Sequence, residues 1–160
     1  MTDRALELFD QGFNCAQSVF AAFAPSFGLD ESIALRVATA FGGGMSRCND
    51  VCGVVSGALM VLGISMNSAD KDAREQLYAI SKEFVERFRS EHGSILCAEL
   101  LGCDISKEQE LKRAREENRF KTICPKYVKA AANIVKELLH AQYVDQRTSR
   151  IFIKPTAGKK

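Results

Sequence analysis

Val51-Cys52-Gly53-Val54-Val55-Ser56-Gly57-Ala58-Leu59-Met60-Val61-Leu62-Gly63-Ile64-Ser65-Met66 is the most apolar stretch of the chain. It is shorter than the ~20 residues that a membrane-crossing helix needs, and glycines and serines interrupt it. Its residues read as a helix buried on all sides. Such a helix needs neighbours to cover it, and the flanking sequence has the period to supply them. Val19, Phe20, Phe23 and Phe27 recur at three-to-four spacing, as do Ile33, Val37, Ala40 and Phe41. Leu77, Ile80, Phe84 and Phe88 form a third stripe, and Val128, Ala131, Val135, Leu138 and Leu139 a fourth. Each places its apolar side chains on one helix face. Only Arg150 to Lys154 alternates in the manner of a strand. The expected fold class is all-α, a compact bundle of about six to eight helices.

The breaks between these stripes carry local signals. Gly28-Leu29-Asp30 ends one helix and offers Asp30 as the cap of the next. Phe41-Gly42-Gly43-Gly44-Met45 is a loop in which glycines can take positive φ. His92-Gly93-Ser94 is a stop and restart, and Gly102 suits the position just past a helix end. Lys107 to Lys121 interleaves charges of both signs, as a solvated helix face does. Residues 1–144 are expected to form a single helical domain. Residues 145–160 are expected to form a polar tail, frayed or docked on a partner subunit.

Composition narrows the function. The chain has 160 residues, 46% hydrophobic and 26% charged, which is ordinary for one soluble domain. Its formal net charge of +2 is small for a protein built to grip nucleic acid. Two histidines are few for a His-rich metal site or a Ser-His-Asp engine. The start, MTDRALELFD, lacks the basic and apolar regions of a signal peptide, so a reducing, cytoplasmic setting is expected without membrane insertion. The six cysteines therefore point to redox, metal or cluster chemistry more than to a static disulfide framework.

The caps turn that count into an arrangement. Asn14 caps a helix that Cys15 begins. Asn49 or Asp50 caps the apolar helix and puts Cys52 in its first turn. Ser94 caps a short helix with Cys97 at the third position. Cys124 precedes Pro125, a residue favoured at the first helical position. Four cysteines are thus expected at helix N-termini, where free N–H groups and the helix dipole favour thiolate over thiol. Cys48 and Cys103 fall outside this pattern and read as accessory. His92 and His140 read as structural or solvent-exposed. The loop glycines Gly42, Gly43 and Gly44, with Gly53, are candidates for close approach of a ligand or a second thiol beside Cys52. Without a Gly-Lys-Ser/Thr or a strand-led GxGxxG they make no nucleotide site. Gly53, Gly57 and Gly63 suit tight helix packing, while Met45, Met60 and Met66 read as core.

Asn14-Cys15-Ala16 with Val19, then Phe41-Gly-Gly-Gly-Met45, then Cys52-Gly53-Val54-Val55-Ser56-Gly57-Ala58, then Cys97 with Leu100-Leu101-Gly102, and last Cys124, follow one another in order. This pattern resembles the C-GCAxxG-C-C proteins, a family described as redox-active, over roughly residues 5 to 140. Val54 departs conservatively from the alanine expected after the Cys-Gly pair. The resemblance implies that Cys15, Cys52, Cys97 and Cys124 are the functional cysteines. It also implies genomic company with transporters in some members. The family further resembles the cysteine-bearing domain of split-Soret cytochromes, which hints at an iron–sulfur cluster.

Three readings follow. The first is a thiol redox protein that cycles dithiol and disulfide, with Cys52 as the attacking thiolate and its resolving partner unassigned. Its partners would be a redox protein or a transporter-associated protein. The second uses the same four cysteines as ligands of Zn²⁺ or an iron–sulfur cluster. The third is a cofactor-free helical assembly module in which the cysteines are filler. A homo-oligomer is compatible with all three.

Overall fold

A computed structural model describes residues 1–66 and 70–151, with side chains through residue 143. Among the described residues the chain forms eight α-helices and no strand. These are α1 (Thr2–Asp10), α2 (Cys15–Phe23), α3 (Glu31–Ala38), α4 (Gly53–Ser65), α5 (Lys71–His92), α6 (Cys97–Leu101), α7 (Glu108–Glu116) and α8 (Arg119–Ile151). Short 3₁₀ turns at Ala24–Phe27 and Thr39–Phe41 link α2, α3 and the glycine loop.

The apolar stretch forms α4 and sits at the centre. It packs along α2, with α8 and α5 on other sides, and one contiguous core joins them. Two glycines set how closely α2 and α4 approach. A Cβ on Gly57 would lie 2.7 Å from the Ala16 carbonyl oxygen, and one on Gly53 would lie 2.9 Å from the Ala16 nitrogen. Neither distance leaves room for a side chain, so only glycine permits this contact. Gly63 differs from expectation, because open space surrounds its Cβ position.

The stripes on α2, α5 and α8 are those read from the sequence. Val19, Phe20 and Phe23 are buried, as are Phe84, Phe88, Val128, Ala131, Val135 and Leu138. The stripe on α3 is not. Ile33 is 46% exposed and Val37 53%, and Ala40 is exposed too, while Ala34 and Ala38 face inward. This short helix turns its small face to the core, where alanine allows close packing against α2. Phe27 lies in the 3₁₀ turn and is also exposed. Of the three methionines read as core, Met45 is exposed, and Met60 and Met66 are half-buried.

The breaks follow their glycines. Gly28, Gly93 and Gly102 all take left-handed φ just past the helices they end. Asp30 caps α3 by accepting from the Ser32 and Ile33 N–H groups. The charged run holds α7, in which only Ala114 is buried, and the start of α8. Asn118, at φ 55°, separates the two. Helix α8 continues to Ile151, so the expected tail begins as helix, and so does the strand-like run at Arg150. Residues 152–160 of that expected tail lie outside the described residues. No helix is long and apolar enough to cross a membrane among the described residues.

Candidate functional site

Cys15 is the first residue of α2, and the local sequence explains why. The Asn14 side chain accepts from the Ala16 and Gln17 N–H groups, while the Gln17 side chain accepts from the Asn14 N–H at 3.0 Å. This reciprocal pair fixes the helix start at Cys15. The Asn14 amide also donates to the Thr39 carbonyl at 2.9 Å, and Asn14 occupies the space a Gly42 side chain would need.

Cys52 corrects the expected cap. It is not inside the first turn of α4 but is itself the N-cap, with extended φ/ψ. Asn49 instead donates to the Asp104 carboxylate and accepts from the Ile105 N–H at 3.2 Å. Asp50 serves a different purpose again. Its carbonyl accepts from the Cys97 N–H at 2.9 Å, while the Ile95 carbonyl accepts from the Cys52 N–H at 2.8 Å. These two bonds make an antiparallel bridge between Val51 and Leu96. Side chains alternate across such a contact, so Cys52 and Cys97 emerge on the same side as diagonal neighbours.

Cys97 is the first residue of α6, two positions nearer the start than expected. Ser94 does not cap the helix; its hydroxyl accepts from the Leu96 N–H at 3.0 Å and shapes the preceding turn. Gly44 makes room for the bridge. Its φ is +65°, and a Cβ there would lie 2.6 Å from the Cys97 Cβ and 2.7 Å from the Asp50 carbonyl oxygen. Gly43 also takes positive φ, as the triple glycine requires.

Cys124 also departs from expectation. It lies inside α8, which begins at Arg119 and runs through Pro125. The helix start falls at Asn118 rather than at the proline. Three of the four cysteines therefore stand at helix starts and one on a helix side.

Despite these shifts the four come together. Cys15, Cys52, Cys97 and Cys124 all line one cavity of about 660 Å³. Gly42, Gly43 and Gly53 line it too, whereas Gly44 packs behind it against Cys97. Cys52 is only 5% exposed, so its access is through the cavity that the glycines also line. Cys103 is buried away from the cavity, and Cys48 is exposed.

The thiols differ in charge preference. Cys52 is held below the ordinary cysteine value, first by the Cys97 thiol, then by the Val54 and Gly53 backbone N–H groups, against the opposing effect of burial. Those N–H groups act on the sulfur at a distance, since none makes a full capping bond. Cys97 is pushed well up, by its interaction with Cys52 and then by burial. Cys15 is also pushed well up, by the Cys124 thiol first and burial second, with Cys52 and Cys97 adding to it. Burial raises Cys103.

Sequence reading missed two features of the site. Arg115 and Lys121 line the cavity, although the charged run had read as a wholly solvated face. Tyr127 also lines it, and its hydroxyl donates to the Leu100 carbonyl at 3.1 Å, tying α8 to α6. A zinc ion or cluster would need several ligands aimed at one point. Among the described residues no group of three or more His, Cys, Asp or Glu is arranged to hold a metal ion.

An all-α domain that brings four cysteines from separate segments to one cavity is a thiol-bearing domain. The chain belongs to the C_GCAxxG_C_C family, whose description reads "Putative redox-active protein (C_GCAxxG_C_C)"; the match runs over residues 13–138. Neither the curated proteins nor the solved structures hold a match to the chain.

Proposed function

We propose that the protein is a thiol–disulfide redox protein in which Cys52 attacks and Cys97 resolves. The observation that carries this reading is the bridged pair, one member of which favours thiolate while its neighbour holds a proton. Thiolate is the attacking form, so the lowered member of the pair is the nucleophile.

The reaction balances as follows. The Cys52 thiolate attacks one sulfur of a substrate disulfide. A mixed disulfide forms, the substrate S–S bond breaks, and the departing thiolate takes a proton from water. Cys97 then gives up its proton to solvent and attacks the Cys52 sulfur. The mixed disulfide breaks, and the second substrate sulfur leaves as a thiolate that takes a proton from water. The Cys52–Cys97 dithiol loses two electrons, and the substrate gains them. An external dithiol returns the pair to its reduced state.

Thiol counting and peptide mapping test this directly. Reduced protein is exposed, without oxygen, to a small disulfide. Two thiols should be lost, joined as Cys52–Cys97, and Cys52→Ser should slow the reaction by about a thousandfold because a hydroxyl is scarcely ionised. A Cys52→Ser variant that keeps its full rate would remove the assignment. Stoichiometric metal or a visible chromophore in anaerobically purified protein would sink the simple dithiol reading.

A further inference from the structure

Three cations line the cysteine cavity: Arg47, Arg115 and Lys121. All three are exposed, so they stand where the cavity meets solvent. No aspartate or glutamate accompanies them among the described residues that line it. Their surroundings make this bias specific. Around Arg115, Lys112 pairs with Glu116 and Arg113 with Glu117. Near Lys121, Arg119 also pairs with Glu117. Arg47, Arg115 and Lys121 have no such partner among the described residues. A run that reads as balanced thus neutralises itself elsewhere and leaves unpaired positive charge at the cavity mouth.

These cations are not needed to make the nucleophile. The Cys52 thiolate is favoured by Cys97 and by backbone N–H groups. The remaining walls are largely apolar and include Phe13, Leu101, Phe120 and Tyr127. A mouth of one charge sign over low-dielectric walls concentrates ions of the opposite sign. The volume of about 660 Å³ is that of a small-molecule site and too small to enclose a folded partner.

We propose that the cavity selects a small anionic disulfide, a compound with carboxylates flanking its S–S bond. Its sulfurs reach Cys52 between the apolar walls while its carboxylates remain at the mouth beside Arg47, Arg115 and Lys121. This rests on the thiol–disulfide reading and names the substrate class of that site.

Three disulfides of similar length provide the test: 3,3′-dithiodipropionate, bis(2-hydroxyethyl) disulfide and cystamine. They carry negative, no and positive charge. The rate of each with the reduced full-length protein is divided by its rate with free dithiothreitol, which removes differences in leaving-group chemistry. The normalised order should be anionic over neutral over cationic, with about tenfold between the first two at low salt. That ratio should shrink toward one in a double variant, Arg115→Gln with Lys121→Gln, and at high ionic strength. Circular dichroism and thiol count establish that the variant is folded and reduced. Equal normalised rates for the three, or an unchanged ratio in the variant, would overturn the anionic preference while leaving the redox function standing. Failure to reduce any of the three would overturn both.

Discussion

Two cysteine pairs face one cavity, and they are built by different means. Cys52 and Cys97 are joined through main chain, by the short bridge between Val51 and Leu96. Cys15 and Cys124 are joined only by the packing of α2 near α8. The first pair contains a favoured thiolate, whereas in the second Cys15 is held protonated. Both Cys15 and Cys52 stand at helix N-termini, so helix position alone does not explain the contrast. The caps do. Beside Cys15, the Asn14 side chain already takes the Ala16 and Gln17 N–H groups. At α4 the cap is Cys52 itself, and no competing side chain takes the Gly53 and Val54 N–H groups. A helix start activates a thiol only while its N–H groups are still available.

The bridge is the part of this contrast most open to damage. Gly44→Ala would force a methyl into the Cys97 Cβ and the Asp50 carbonyl at positive φ. A loss of about 3 kcal/mol is expected in chemical denaturation, combining strain and overpacking. The Cys52 reaction should suffer with it, because Asp50 holds the Cys97 N–H. Stability unchanged within error would show that the bridge does not set the pair.

Removing the donor gives a smaller effect with a definite sign. Cys97 is the largest influence lowering Cys52, so Cys97→Ala should move the midpoint of Cys52 alkylation toward higher pH. In the unaltered protein that midpoint lies below the ordinary value of about 8.5. Alkylation followed by mass spectrometry across pH measures both. The same directions bear on stability. An unfolded chain releases its thiol protons near pH 8.5, while folded Cys15 and Cys97 keep theirs. The folded state then binds more protons, so their contribution is lost as pH rises above that value. Cys52 acts oppositely, and its contribution is lost as pH falls through its lowered value.

The smallest expected change sharpens the other pair. Asn14→Ala removes the side-chain arm of the α2 cap, leaving the Gln17 arm on the backbone N–H, and should cost about 1 kcal/mol in thermal or chemical unfolding. The pH midpoint of Cys52 alkylation should stay in place, because Asn14 is not among the groups acting on that thiol. A matching shift at Cys52 would mean that the two pairs titrate as one unit.

Much of this architecture is legible along the chain. Gln17 three residues after Asn14 marks a capping box, and positive-φ glycines mark the stops at Gly28, Gly93 and Gly102. Such signals act over one turn, so short sequence windows contain them. The start of α8 was misplaced because Pro125 is a local signal, and a long helix packed along the core carries it within its own interior. The inward face of α3 was misassigned for a related reason. Periodicity finds a helix's apolar side, yet contact with α2 selected its alanines.

The sequence by itself determined an all-helical chain, the buried place of its apolar helix, and the order of cysteines and glycines by which it resembles its family. These follow from side-chain periodicity, from the conformations open to glycine, and from residues in order. Tertiary structure alone decided that Cys52 sits beside Cys97 and Cys15 beside Cys124. It also decided that Arg115 and Lys121 line the cavity that the thiols share. Those neighbours are tens of residues apart in sequence, and only the packing of helices against the core brings them together.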